Sequence, residues 1–334
     1  MHQDLSIVSY HDISAERDPF TAHLFVSTRP EVFRNHVAYF AKNFDIISVD
    51  DLLAGKLPRK PLLLTFDDAY RSVLTVAGSV LKEVNAPSVF FVIPSVVQGD
   101  TLPIDNVLSF AVEEMGMPRL LALMNLTETS ARSVGEVISQ FIATMRRDDI
   151  MQLKERIFAA LGTTEPRARG LSGIFLNRTD IERLACYRIE VGNHSMTHSH
   201  FRTLSDDELD VEIAQSRRDL QRLCGQPVRC LSVPHGDQRD ATHHALANAR
   251  ASGHRAIFLV HARSNRFRPY EDTYYRVSLR NEGAWKVRFA VRIAPVVRSI
   301  LHAQVATVSR LRLETISNRS VRFIVRHRER NAVR

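Results

Sequence analysis

Short apolar runs of strand length recur along this chain, and most are followed by a stretch with helical signals. The runs are LSIVSYH (5–11), FDIISV (44–49), PLLLTF (61–66), PSVFFVIPS (87–95), YRIEVGNH (187–194), VRCLSVP (228–234), RAIFLVH (255–261) and YYRVSL (274–279). Continuous apolar runs, rather than alternating ones, predict strands covered on both faces. Between them, residues 29–44 read as a helix entered through Pro30, and residues 71–84 and 238–252 as two more. The clearest helix follows Ser205. That residue forms a capping box with Glu208, Leu209, Ile213, Leu220 and Leu223 share one face, and Gly225 ends it. Alternating strands and helices predict an α/β fold around a mostly parallel sheet, open or closed into a barrel. Residues 104–169 break the rhythm with helical, mixed-charge sequence and read as an insertion.

Charge divides the chain unevenly. The net charge is +8, yet residues 283–334 alone hold 12 Lys/Arg against Glu314 and Glu329, so residues 1–282 sum to −2. A basic tail on a near-neutral body suggests an anionic partner, and a membrane surface is the partner expected here. Trp285, Phe289, Ile293, Val296 and Ile300 recur at helical spacing within it, as an interfacial helix or as a helix packed on the body. No base-stacking aromatic platform accompanies the arginines, so no nucleic-acid role is expected. The N-terminus lacks a signal-peptide pattern and no window has the apolar length of a membrane span. Three cysteines without metal-type spacing (Cys186, Cys224, Cys230) fit a reducing compartment as buried apolar residues. Cytoplasm, with peripheral contact to the inner membrane face, is the expected location.

In parallel α/β folds the chemistry gathers where strands end. The run PLLLTF ends in Asp67 and Asp68, two adjacent carboxylates that repel each other and resist burial. YRIEVG ends in Asn193, His194 and then His198, CLSV in Pro234-His235-Gly236-Asp237, and AIFLV in His261. Two imidazoles four residues apart reach one ion from a turn. With one of the two aspartates they make a ligand set that leaves positions open for water and substrate. The other aspartate is then free to take a proton from that water.

TFDDAY, NHSMTHSHFRTLSDDEL and VRCLSVPHGD, in that order and preceded by Tyr10-His11, resemble the first motifs of the NodB-type polysaccharide deacetylases (carbohydrate esterase family 4). The likeness covers most of residues 1–280, with its motif core at about 60–280. The resemblance implies a distorted (β/α)7-type barrel over 1–282, carrying the helical insertion at 104–169, with 283–334 left as a basic helical tail. It implies a hydrolase that removes acetyl groups from an N-acetylated glycan using a divalent metal, usually Zn2+. Residue by residue, it makes Asp67 the general base and Asp68, His194 and His198 the metal ligands. Tyr70, His11, Pro234 and Gly236 would lie around the substrate, the Tyr70 N–H as an oxyanion donor.

Three positions depart from the pattern. Ala69 stands where the family has Gly, Ser232 where it has the arginine that positions the base, and His235 where it has Tyr. The final strand lacks the family's Leu-x-His acid, so His261, one strand early, is the first candidate acid and His235 the second. These losses leave a second reading open, a non-catalytic relative that binds a glycan or a protein.

Overall fold

The structure is a computed structural model that describes residues 4–126, 129–261, 265–268 and 271–293. Seven parallel strands close into a barrel: β1 (Asp4–Tyr10), β3 (Pro61–Phe66), β4 (Ser88–Val92), β5 (Ile189–Asn193), β6 (Cys230–Ser232), β7 (Ala256–Val260) and β9 (Thr273–Ser278), which returns to β1. Two short strands attach outside this circuit, β2 (Asp45–Ile46) parallel to β3 and β8 (Asn265–Arg266) antiparallel to β1. Closure is made by β1, which pairs Val8 with Leu64 on one side and with Val277 on the other.

Local chemistry trims some of the expected elements. FDIISV forms a strand over Asp45–Ile46 alone, because Ser48 caps a helix, Val49–Ala54, through a capping box with Asp51. The helix expected over 71–84 begins with a π-wound segment, Val73–Ala77, before Gly78–Glu83. The capping box of Ser205 and Glu208 and the left-handed Gly225 bound the segment Asp206–Cys224, as the sequence predicts.

Alternation along each strand sorts side chains into an inner and an outer set. Leu5, Ile7, Leu63, Val89, Phe91, Cys230, Ala256, Phe258 and Tyr274 form one buried cluster, the apolar filling of the barrel. Gly192 makes room for it, since a Cβ there would sit 2.5 Å from the Phe91 ring. Toward the carboxyl ends the inward positions turn polar, and Ser9, Thr65, Ser232 and Arg276 are all fully buried. The outward residues of β1, β3, β4 and β5 join the helices in a larger core, and those of β6 and β7 a smaller one.

Between β4 and β5 lie helices at Ile104–Met115, Met117–Leu123, Val134–Gln140, Arg147–Ala160 and Glu165–Arg169. Val107, Leu108, Ala111, Leu120, Val137 and Ile157 belong to the same core cluster as Val8, Leu64 and Val92, so this segment packs on the barrel. At the other end, the helix Ala284–Arg288 and the π-wound Phe289–Ile293 press Val287 and Val291 inward. Trp285 (70%) and Phe289 (47%) stay exposed, so the aromatic stripe is the outer face of this helix. Val296, Ile300 and most of the basic tail lie outside the described residues. Of the cysteines, Cys230 is buried, Cys224 is partly buried and Cys186 is exposed, contrary to the expectation that all three are buried.

Candidate active site

The opening acidic pair is accommodated by backbone conformation. Asp68 (φ 79°) and Ala69 (φ 67°) are both left-handed, a conformation that costs an L-residue about 1–2 kcal/mol. The turn gives the two carboxylates different partners on one rim. Asp67 continues the inward alternation of Leu63 and Thr65, while Asp68 faces the residues after β5. Both are buried.

Arg276, in the middle of β9, is the partner of Asp67. Its Nη1 and Nη2 donate to the two carboxylate oxygens at 2.7 and 2.8 Å, and further to Thr65 Oγ1 (3.1 Å) and Ser232 Oγ (2.7 Å). Burial alone would raise the Asp67 carboxyl; Arg276, and next His194, reverse this and hold it below the usual carboxylate range. The serine at the family's arginine position therefore hydrogen-bonds an arginine supplied by another strand. The sequence reading missed Arg276, and its signal was a lone arginine inside an otherwise uncharged strand.

His194 and His198 meet Asp68. Their Nε2 atoms lie 3.2 and 3.4 Å from Asp68 Oδ1, and the ring centroids are 4.9 Å apart. Asp68 Oδ1 is buried and, among the described residues, makes no hydrogen bond of proper geometry. One carboxylate oxygen and two imidazole nitrogens that converge without satisfying one another fit a divalent cation. Without an ion, burial opposes the charge on all three. The neighbouring imidazoles nevertheless draw the Asp68 carboxyl far down, and the aspartates raise His194. Burial outweighs Asp68 at His198 and lowers it to about 4.

The loop that carries the histidines is pinned by its own polar residues. Asn193 Oδ1 accepts from the Ser195 N–H (3.0 Å) and Ser216 Oγ (2.6 Å), and Ser195 Oγ accepts from the His198 N–H (3.0 Å). Glu212, fully buried on the following helical segment, accepts from the Thr197 N–H (2.9 Å) and hydroxyl (2.6 Å). His194 Nδ1 donates to the Ser232 carbonyl at 3.0 Å, which leaves Nε2 as the ligand atom.

The remaining predicted residues fall in different places. His11 continues the inward face of β1, with Nε2 4.0 Å from Asp67 Oδ2 and its side chain 20% exposed at the rim. His261 has the parity of Ile257 and Leu259, which belong to the outer cluster, and its ring lies 6.2 Å from that of Tyr275. That alternation directs it away from Asp67. His235 stacks on His200 (3.7 Å) and packs near His198 (4.4 Å), and its Nδ1 is 3.7 Å from Asp105. The Tyr70 phenol is fully buried and accepts from Asn106 at 2.9 Å, so its backbone is what the rim can use. The bridge to Phe175 is built by the N–H groups of Arg71 and Leu176 and does not consume that of Tyr70. Pro234 is buried, and Gly236 is left-handed with Val260 2.4 Å from where a Cβ would stand. Arg229, also matched to the third motif, pairs with Glu190 (2.8 Å) and Asp50 (2.6 Å) at the opposite end of the barrel and has a structural role.

Against known proteins, a family model described as Polysaccharide deacetylase matches residues 137–256. A Streptococcus pyogenes deacetylase, PplD, solved in complex with acetate, is 14% identical with TM-score 0.57, over 87% of this chain and 99% of that one. A de-N-acetylase from Aggregatibacter actinomycetemcomitans is 15% identical with TM-score 0.56 (86% and 98% covered). IcaB from Ammonifex degensii is 16% identical with TM-score 0.54 (88% and 97%). At these identities the likeness is one of fold. Comparison with curated protein sequences finds no match. The closed barrel is the fold of these deacetylases, and the family match over residues 137–256, with the rim motifs in order, makes the chain similar to the NodB-type polysaccharide deacetylases.

Proposed function

We propose that the protein hydrolyses the acetamide of an N-acetylated sugar in an oligosaccharide or surface-polysaccharide precursor, with a divalent cation, Zn2+ in the first instance, held by Asp68, His194 and His198. The observation that carries this reading is the Asp67–Arg276 pair beside the Asp68–His194–His198 cluster: a carboxylate kept ionised next to three converging ligand atoms, of which Asp68 Oδ1 makes no hydrogen bond among the described residues. A cation bound there supplies Lewis acidity, lowering the pKa of water and polarising the acyl carbonyl. Asp67 accepts the proton of the attacking water as the oxygen–carbon bond forms. The Tyr70 N–H donates to the carbonyl oxygen as it gains charge. His11 then gives a proton to the sugar nitrogen as the carbon–nitrogen bond breaks, releasing acetate and a free amine. His11 takes this role in place of His261 and His235 because of the three it alone stands at the rim with Nε2 within 4.0 Å of Asp67.

The two losses that favoured a non-catalytic relative thus have replacements within the site, the arginine from β9 and the acid from β1. The test is acetate release from a panel of N-acetylated oligosaccharides, with and without chelator, for the wild type, Asp67→Asn and His194→Ala. Chelator-sensitive release should fall by ~10² or more in Asp67→Asn with the metal retained, and with the metal lost in His194→Ala. No release by a zinc-replete wild type, together with undiminished glycan binding, would establish the binding module instead.

A further inference from the structure

A histidine that binds a metal through Nε2 must carry its proton on Nδ1, and that N–H needs an acceptor when buried. His194 has one in the Ser232 carbonyl. His198 Nδ1 is buried and makes no hydrogen bond of proper geometry within the described residues. It points away from Asp68 toward Asp105, whose Oδ2 is 3.6 Å distant, while Asp105 Oδ1 is itself buried and unsatisfied. Asp105 lies in the first turn of the helix Ile104–Met115, in the segment inserted between β4 and β5 and outside the matched residues 137–256. Burial, and next the charge of Asp68, raise the Asp105 carboxyl to about 7, and the helix N-terminus acts against that rise. Asn106 beside it anchors that turn, donating from Nδ2 to Phe20 O and Tyr70 Oη, both at 2.9 Å.

We infer that Asp105 is a positioning residue for the metal centre: its carboxylate takes the His198 Nδ1–H, fixes the Nε2 tautomer and so ties the inserted helix to metal affinity. The inference rests on the metal-centre reading above and extends it to a residue that the motifs do not contain. His235 Nδ1 lies 3.7 Å from the same Asp105 Oδ2.

Zinc affinity by chelator competition, measured on the full-length protein, tests this. Asp105→Ala should weaken zinc binding by about 10–100-fold, the usual cost of losing such an outer partner. Asp105→Asn, whose amide oxygen still accepts, should fall between Ala and wild type, with the stoichiometry kept at one. In spectra of histidine-15N-labelled protein the His198 Nδ1–H resonance of the zinc form should move upfield in Asp105→Ala, a change that a general loosening of the helix would not single out. Unchanged affinity in a folded Asp105→Ala variant overturns the inference alone. Two zinc equivalents in the wild type, one lost with Asp105, overturn it by making Asp105 a ligand of a second ion with His198 and His235. No zinc binding by the wild type removes both this inference and the reading beneath it.

Discussion

Replacing Arg276 by Met removes the only cation hydrogen-bonded to Asp67 among the described residues, together with the guanidinium's place 5.2 Å over the Phe91 ring, while keeping much of the side-chain volume. At about 4 Å between charge centres and an effective dielectric near 20, the pair is worth ~4 kcal/mol. One pKa unit is 1.36 kcal/mol, so the Asp67 carboxyl should rise by up to about three units, less whatever His194 and the bound cation compensate. The acidic limb of the pH profile of kcat/KM, which reports the base in the free enzyme, should therefore move up by at least one unit. Stability should also drop, since a broken buried pair costs ~3–5 kcal/mol; Arg276→Lys, which keeps a charge, serves as the folded comparison and should shift the limb less. The sharper variant is the exchange Ser232→Arg with Arg276→Ser. Ser232 Oγ lies 2.7 Å from the guanidinium, so the exchanged arginine starts beside the same carboxylate and should recover part of the lost activity. An acidic limb that stays in place in folded Arg276→Met refutes the assignment of Arg276 to the base.

Three further outcomes follow from the geometry. His11→Ala should lower kcat on N-acetyl substrates by ~10² or more yet spare an aryl acetate whose leaving group needs no proton, and His261→Ala should change neither much; the reverse pattern would return the acid to β7. His254 is buried between Asn193 Nδ2 (3.2 Å) and the Ala249 carbonyl (3.1 Å), and burial lowers it to about 4. With its folded pKa below its unfolded one, its contribution is complete above about pH 6.5 and is lost as the pH falls toward 4. Urea unfolding should thus show wild type losing ~3 kcal/mol more than His254→Gln between pH 7 and 4, and equal losses would remove the claim. Trp285 and Phe289, exposed beside Lys286 and Arg288, should anchor the protein on anionic liposomes; Trp285→Ala/Phe289→Ala should sediment less at low salt, and an unaffected double variant would leave this face without a membrane role.

The strands and the rim residues that follow them were readable because both are local. A doubly buried strand is a continuous apolar run, and its functional residues come directly after it. Arg276 was not readable for the same reason. In YYRVSL an arginine flanked by apolar residues looks like one position of a strand facing water, and only closure of the barrel turns that face inward, onto a carboxylate more than two hundred positions earlier. His11 and His261 were indistinguishable by type and by place after a strand. Their parity, inward with Ile7 and Ser9 or outward with Ile257 and Leu259, separates them once the inner face is known. Asp105 sits in sequence with no motif at all. The amphipathic stripe at Trp285 was seen correctly as periodic, but periodicity does not say which face packs, and Val287 with Val291 took that place.

The grip of β9 on Asp67 also has a consequence for how the molecule comes into being. A ribosome delivers Asp67, Asp68, His194 and His198 well before Arg276, so an emerging chain holds the acidic pair and the imidazoles without the guanidinium that pairs with Asp67. On the proposed role of Asp67, hydrolytic competence arrives with β9, in the same event that seals the sheet between Val8 and Val277. A one-residue slip of β9 would turn Arg276 outward and leave a carboxylate stranded in an apolar interior. The ion pair thereby proofreads the closing register, and turnover becomes a readout of a correctly finished chain.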